Sequence, residues 1–108
     1  MDELMSSPAE FLKSVLEKIS KSHNIDFRAL ISFLYILNSS YHAQVDFKIG
    51  NVSVTFRKWL DPLKMIIERT EEGVKFSTEI LVMKYLLEVI EKHLSKRREK
   101  TSEDESEG

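Results

Sequence analysis

Apolar residues recur at helical spacing in the first third of the chain. Phe11, Leu12, Val15, Leu16 and Ile19 fall on one helix face, with Lys13, Glu17, Lys18 and Lys21 opposite. Ser7-Pro8-Ala9-Glu10 opens this helix: Ser7 suits the N-cap, Pro8 the first turn, where its missing N–H costs nothing, and Glu10 the reciprocal capping position. The pattern predicts a one-sided amphipathic helix over about residues 8–22. After a short break at Ser22-His23-Asn24, Asp26 caps a second helix over 27–38, antiparallel to the first. Within Phe27–Leu37 only Arg28 and Ser32 are plainly polar, and with the Tyr35 hydroxyl they share one narrow seam. A helix apolar nearly all round must be covered nearly all round, which predicts that 27–38 is the centre of the fold.

Strict alternation then takes over. Two runs between Val45 and Phe56 flank Gly50-Asn51, a dipeptide that accepts the positive φ of a tight turn. A two-residue turn pairs Ile49 with Val52, Phe47 with Val54 and Val45 with Phe56. All six then share one face, and Asp46, Lys48, Ser53, Thr55 and Arg57 share the other. Trp59 breaks the apolar parity and points to the polar face if the strand continues. Asp61-Pro62 reads as the cap and first turn of a third helix, with Leu63, Ile66 and Ile67 inward and Glu71-Glu72-Gly73 as its end. Val74-Lys75-Phe76 is a short third strand or a connector. Ser77 then caps a last helix over about 78–98, with Phe76 and Leu81 spaced as a hydrophobic staple. Its apolar half holds Ile80, Val82, Met83, Leu86, Leu87, Val89, Ile90 and Leu94.

The expected fold is therefore mainly α with one β-hairpin (α+β). A two-helix hairpin, an antiparallel β-hairpin and two further helices pack around the central helix 27–38. Residues 1–100 make the single globular domain and 101–108 a disordered acidic tail.

Charge changes this picture only at the C-terminus. The formal net charge of 108 residues is −2, but Ser102–Gly108 holds four acids and no base, so without it the chain stands at +2. A nearly neutral body is a poor match to a dedicated nucleic-acid binder. Absence of cysteine excludes disulfides and thiolate metal sites. The N-terminal MDELMSSPAEF has neither a basic leader nor an apolar signal core, and the apolar stretch 27–37 is too short to span a bilayer. These features predict a soluble cytoplasmic protein. Abundant Lys and Glu beside only four Asn and Gln (Asn24, Asn38, Gln44, Asn51) lean toward a thermophilic source.

Candidate chemistry is sparse. His23, His42 and His93 lie far apart, and none has the neighbours of a metal motif. His93 falls in the apolar arc of the last helix, where an interior histidine is the simpler reading. The three glycines, Gly50, Gly73 and Gly108, make no phosphate loop, and Glu71-Glu72 beside Gly73 reads as a solvated helix end. The expectation is a protein that is not an enzyme, with no cofactor, no metal and no small-molecule substrate. A winged-helix-like DNA-binding regulator is the alternative, since two helices precede a hairpin. Its reading helix would be 27–38, which offers only Arg28, Ser32 and Tyr35 to a groove, and the Gly50-Asn51 turn is too tight for a wing.

Three groups remain as functional candidates. Trp59, Leu81 and Tyr85 are apolar or aromatic anchors for a protein partner, with Leu81 and Tyr85 on one line with Val89. Lys96, Arg97, Arg98 and Lys100 suit a helix C-terminus and also weak contact with phosphates or an acidic partner. Glu103, Asp104, Glu105 and Glu107 form an acidic stretch able to imitate or repel nucleic acid.

The cysteine-free, Lys/Glu-rich body ending in Lys96-Arg-Arg-Glu-Lys and Ser102-Glu-Asp-Glu-Ser-Glu resembles the small acidic-tailed accessory subunits of crenarchaeal family-B replicative DNA polymerases. The likeness rests on size, composition and the last dozen residues. It implies an archaeal, non-catalytic subunit in DNA replication. Such a subunit docks on a larger protein, a polymerase catalytic subunit, while its tail acts near DNA.

Overall fold

The computed structural model describes the backbone over residues 7–107 and side chains over 7–95. The element order is α1 (Pro8–Ser22), α2 (Phe27–Ser39), β1 (Ala43–Ile49), β2 (Val52–Lys58), β3 (Lys64–Glu71), β4 (Val74–Leu81) and α3 (Val82–Glu107). The class is α+β. It carries a four-stranded antiparallel sheet in the order β1-β2-β3-β4, not a single hairpin, and three helices, not four.

The first two helices form where local chemistry places them. Ser7 accepts a hydrogen bond from the Glu10 N–H at 3.2 Å, and Asp26 accepts from the N–H groups of Arg28 and Ala29 at 3.1 and 3.3 Å. The β1–β2 register agrees with the alternation: Ile49 faces Val52, Phe47 faces Val54 and Val45 faces Phe56. Gly50 takes φ 61°, the positive value required of the first central residue of this turn.

The segment expected as a third helix is β3. Leu63, Ile66 and Ile67 have helical spacing, but only Leu63, Met65 and Ile67 face the helices, and Ile66 faces the other side, flanked in register by Thr55 and Glu79. Burial of Ile66 on the helix-free side adds an apolar residue out of phase, and the sum imitates a helical period. Glu71-Glu72-Gly73 does not end a helix. Glu72 and Gly73 are the central residues of the β3–β4 turn, at φ 52° and 81°. Ser77 is consequently a strand residue and not a cap. Phe76 and Leu81 stand on opposite faces of β4 and make no staple. The last helix starts at Val82, whose N–H donates to the Leu63 carbonyl at 3.0 Å.

The helices lie on one side of the sheet, over a core of Leu12, Leu16, Ile19, Leu30, Leu34, Phe56, Met65, Leu86 and their neighbours. The centre of the helical layer is α1, which packs against α2, α3 and β1 and buries Ala9, Leu12, Val15, Leu16 and Ile19. The expected central helix, α2, buries only Leu30, Leu34 and Leu37, and Ile36 is 64% exposed. The sheet takes one of its sides and solvent another. The helical layer leaves the β3–β4 side partly open, with a groove of about 350 Å³ between Phe11 and Val15 of α1 and Val52, Ile67 and Phe76 of the sheet.

The basic and acidic stretches fall within the bounds of α3, Val82–Glu107. The tail expected to be disordered over 101–108 thus overlaps that element. The side chains of Lys96, Arg97, Arg98, Lys100, Glu103, Asp104, Glu105 and Glu107 lie outside those described.

Candidate functional site

One end of the sheet gathers the exposed aromatic residues Tyr35, Tyr41 and Trp59. Here α2 ends, β1 begins, β2 ends, β3 begins, and β4 passes into α3. Ala43 pairs with Lys58, so one further step of the register sets His42 opposite Trp59. Their rings stack, with centroids 5.3 Å apart and planes 2° from parallel. By parity both side chains lie on the helix-free face, where Thr55 and Arg57 also point.

A polar relay holds the indole in place. The Arg57 guanidinium carbon lies 4.3 Å from the Trp59 ring centre. Arg57 Nε donates to Gln44 Oε1 at 3.2 Å, Gln44 Nε2 donates to Asp46 Oδ1 at 3.5 Å, and Thr55 Oγ1 donates to the same oxygen at 2.7 Å. Each partner is a cross-strand or next-but-one neighbour, so the pairing of β1 with β2 alone sets this row. Trp59 is thereby fixed yet 40% exposed, while Tyr41, next to His42 in sequence, and Leu60, next to Trp59, are 81% and 82% exposed.

Leu81, the last residue of β4, lies in the row Arg57–Lys64–Leu81 on the same face and is also exposed. Tyr35 and Ile36, on the last turns of α2, approach this end from the helical layer and are exposed too. Large apolar side chains collected at one end, with a pre-set aromatic among them, can bury area against a partner at low ordering cost.

Of the sequence candidates, Trp59 and Leu81 are brought to this end. Tyr85 is not a free anchor: it is half-buried against the core, with Lys84 Nζ 5.6 Å from its ring centre, and Val89 on the same line is fully buried. Sequence reasoning missed Tyr41, His42, Arg57, Leu60 and Ile36 as members of this surface. The parity of Ser53, Thr55, Arg57 and Trp59 was the signal for the outer face, and continuing the register to His42 was the remaining step.

The other histidines serve packing. His23 Nε2 donates to the Lys48 carbonyl at 3.0 Å and its ring meets Phe47 edge-on at 5.3 Å, which ties the α1–α2 connection to β1. His93 stacks on Phe27 with centroids 4.2 Å apart. Among the described residues no helix is long and apolar enough to cross a membrane. Comparison of the chain with protein-family models, with curated proteins and with solved structures finds no match.

Proposed function

We propose that this protein is a non-catalytic, protein-binding accessory subunit of a nucleic-acid-processing assembly. A DNA polymerase catalytic subunit is the partner that the C-terminal resemblance implies. The observation that carries the reading is the aromatic end: Trp59 held by Arg57 and His42, with exposed Tyr41, Leu60 and Leu81 around it. Such a surface recognises an apolar, partly aromatic patch on another protein, with Arg57 and Lys58 at its margin for acidic groups. The acidic stretch Glu103–Glu107 then acts electrostatically near DNA and has no part in docking.

Affinity capture with the full chain, compared with Trp59→Ala/Leu60→Ser, tests the docking half. A nucleic-acid-processing enzyme recovered by the first and lost by the second, with unchanged circular dichroism, supports the reading; recovery unaffected by the double variant removes it. Deleting residues 102–108 should change that enzyme's behaviour on duplex substrates while leaving capture intact. A small DNA-binding regulator predicts instead that the isolated protein retards duplex DNA at low salt and releases it as salt rises.

A further inference from the structure

The two edges of the sheet are treated differently. Both hairpins have two-residue turns, so Ile49–Val52 and Glu71–Val74 are closing pairs whose backbone groups face each other. It follows that Gln44, Asp46 and Lys48 turn their N–H and C=O groups out from β1, and Lys75, Ser77 and Glu79 turn theirs out from β4. The β1 edge is guarded, because His23 donates to the outward Lys48 carbonyl. Among the described residues no element runs along the β4 edge, where every side chain except Ile80 is exposed.

We propose that β4 pairs with β4 of a second copy of this chain, antiparallel about a two-fold axis at Ser77. The pattern of β4 is complementary to itself in that register. Lys75 lies opposite Glu79 of the second copy and Glu79 opposite its Lys75, both pairs on the helix-free face. Within one chain Lys75 Nζ already lies 3.1 Å from Glu68 and Lys64 Nζ 3.8 Å from Glu79. Pairing therefore extends these into one alternating row, Glu68–Lys75–Glu79–Lys64, across the junction.

On the helix side Val74 meets Ile80 and Phe76 meets Thr78. The two Phe76 rings come into diagonal positions about 7–8 Å apart, within aromatic reach. Val74 and Phe76, about half exposed in the single chain, thereby gain cover beside the groove under Phe11. Shifting the axis by one residue sets Lys75 opposite Ser77 or Leu81 and loses both charge pairs. Shifting it by two sets Lys75 opposite Lys75 or Glu79 opposite Glu79, like charges across the junction. A charged edge normally deters pairing; here the spacing of its two charges about Ser77 admits one partner and one register. The joined sheet has eight strands and closed two-fold symmetry, so assembly stops at the dimer.

The test uses the full chain and the absence of native cysteine. Sedimentation equilibrium should show a monomer–dimer equilibrium. In the paired register two Ser77 Cα atoms sit about 5.5 Å apart, within disulfide range. Ser77→Cys should therefore form a covalent dimer under mild oxidation, and Lys75→Cys should form far less. Lys75→Glu, which sets like charges opposite each other twice, should weaken the dimer by about tenfold or more. Ser77→Pro, which removes an outward N–H that the folded monomer does not use, should abolish it. A chain monomeric at all concentrations overturns the proposal. So does a dimer that resists both Lys75→Glu and Ser77→Pro, or one that cross-links equally through residues 75 and 77.

Discussion

Ile66 and Ile67 are consecutive in β3 and face opposite sides of the sheet, and Ile66, on the side without helices, is the more deeply buried. Thr55 and Glu79 flank it across the strands, and Lys64 and Glu68 along its own strand. Long polar side chains cover an apolar centre with their stems while their charged ends pair in water. The outer face is therefore a second, thin apolar layer. Ile66→Ala should cost about 2–4 kcal/mol in denaturant unfolding, a core-sized loss on a face with no helix. A cost below about 0.5 kcal/mol, the level of ordinary surface change, would show that the cover is not effective.

The helical layer offers a sharper comparison. Leu16 of α1 and Leu34 of α2 are fully buried, whereas Ile36, two residues from Leu34, is mostly exposed. Leu16→Ala, Leu30→Ala and Leu34→Ala should each destabilise by about 2–5 kcal/mol. Ile36→Ser should change stability by no more than about 0.5 kcal/mol. Thermal unfolding of the four variants separates an enclosed α2 from the half-open one described above.

The β3–β4 turn carries local strain that can be relieved. Glu72 adopts φ 52° without a side chain suited to it, whereas Gly73 at 81° has no Cβ to object. Glu72→Asn should stabilise by several tenths of a kcal/mol, and Gly73→Ala should destabilise by about 1 kcal/mol although open space surrounds its Cα. Chemical denaturation of both variants reads the two signs directly.

Trp59 is the single tryptophan, so its emission reports the aromatic end alone. His42→Ala should alter its intensity and maximum while costing about 1 kcal/mol or less. Arg57→Ala should do likewise and also free Gln44 and Asp46. Addition of a docking partner should shift the emission to the blue as the indole loses water. An unmoved spectrum in a saturated complex would place docking elsewhere.

Local chemistry settled a definite part of this protein. The Ser7 and Asp26 caps, the one-sided stripe of α1 and the strict alternation around Gly50-Asn51 each act over a few residues. These elements stand where the sequence puts them. β3 and β4 were decided by tertiary structure. Leu63, Ile66 and Ile67 satisfy a helical period, and Asp61-Pro62 a helix start. A strand buried on both faces shows no period of two, and only the pairing of β3 with β2 and β4 reveals which isoleucine faces which layer. The same pairing demoted 27–38 from a surrounded centre to a half-open helix, because a sheet took the space that further helices would have filled. It also converted Trp59 from an irregularity of parity into the fixed member of an exposed aromatic end: sequence supplied the indole and Arg57 two residues away, but only the β1–β2 register brought His42 against it.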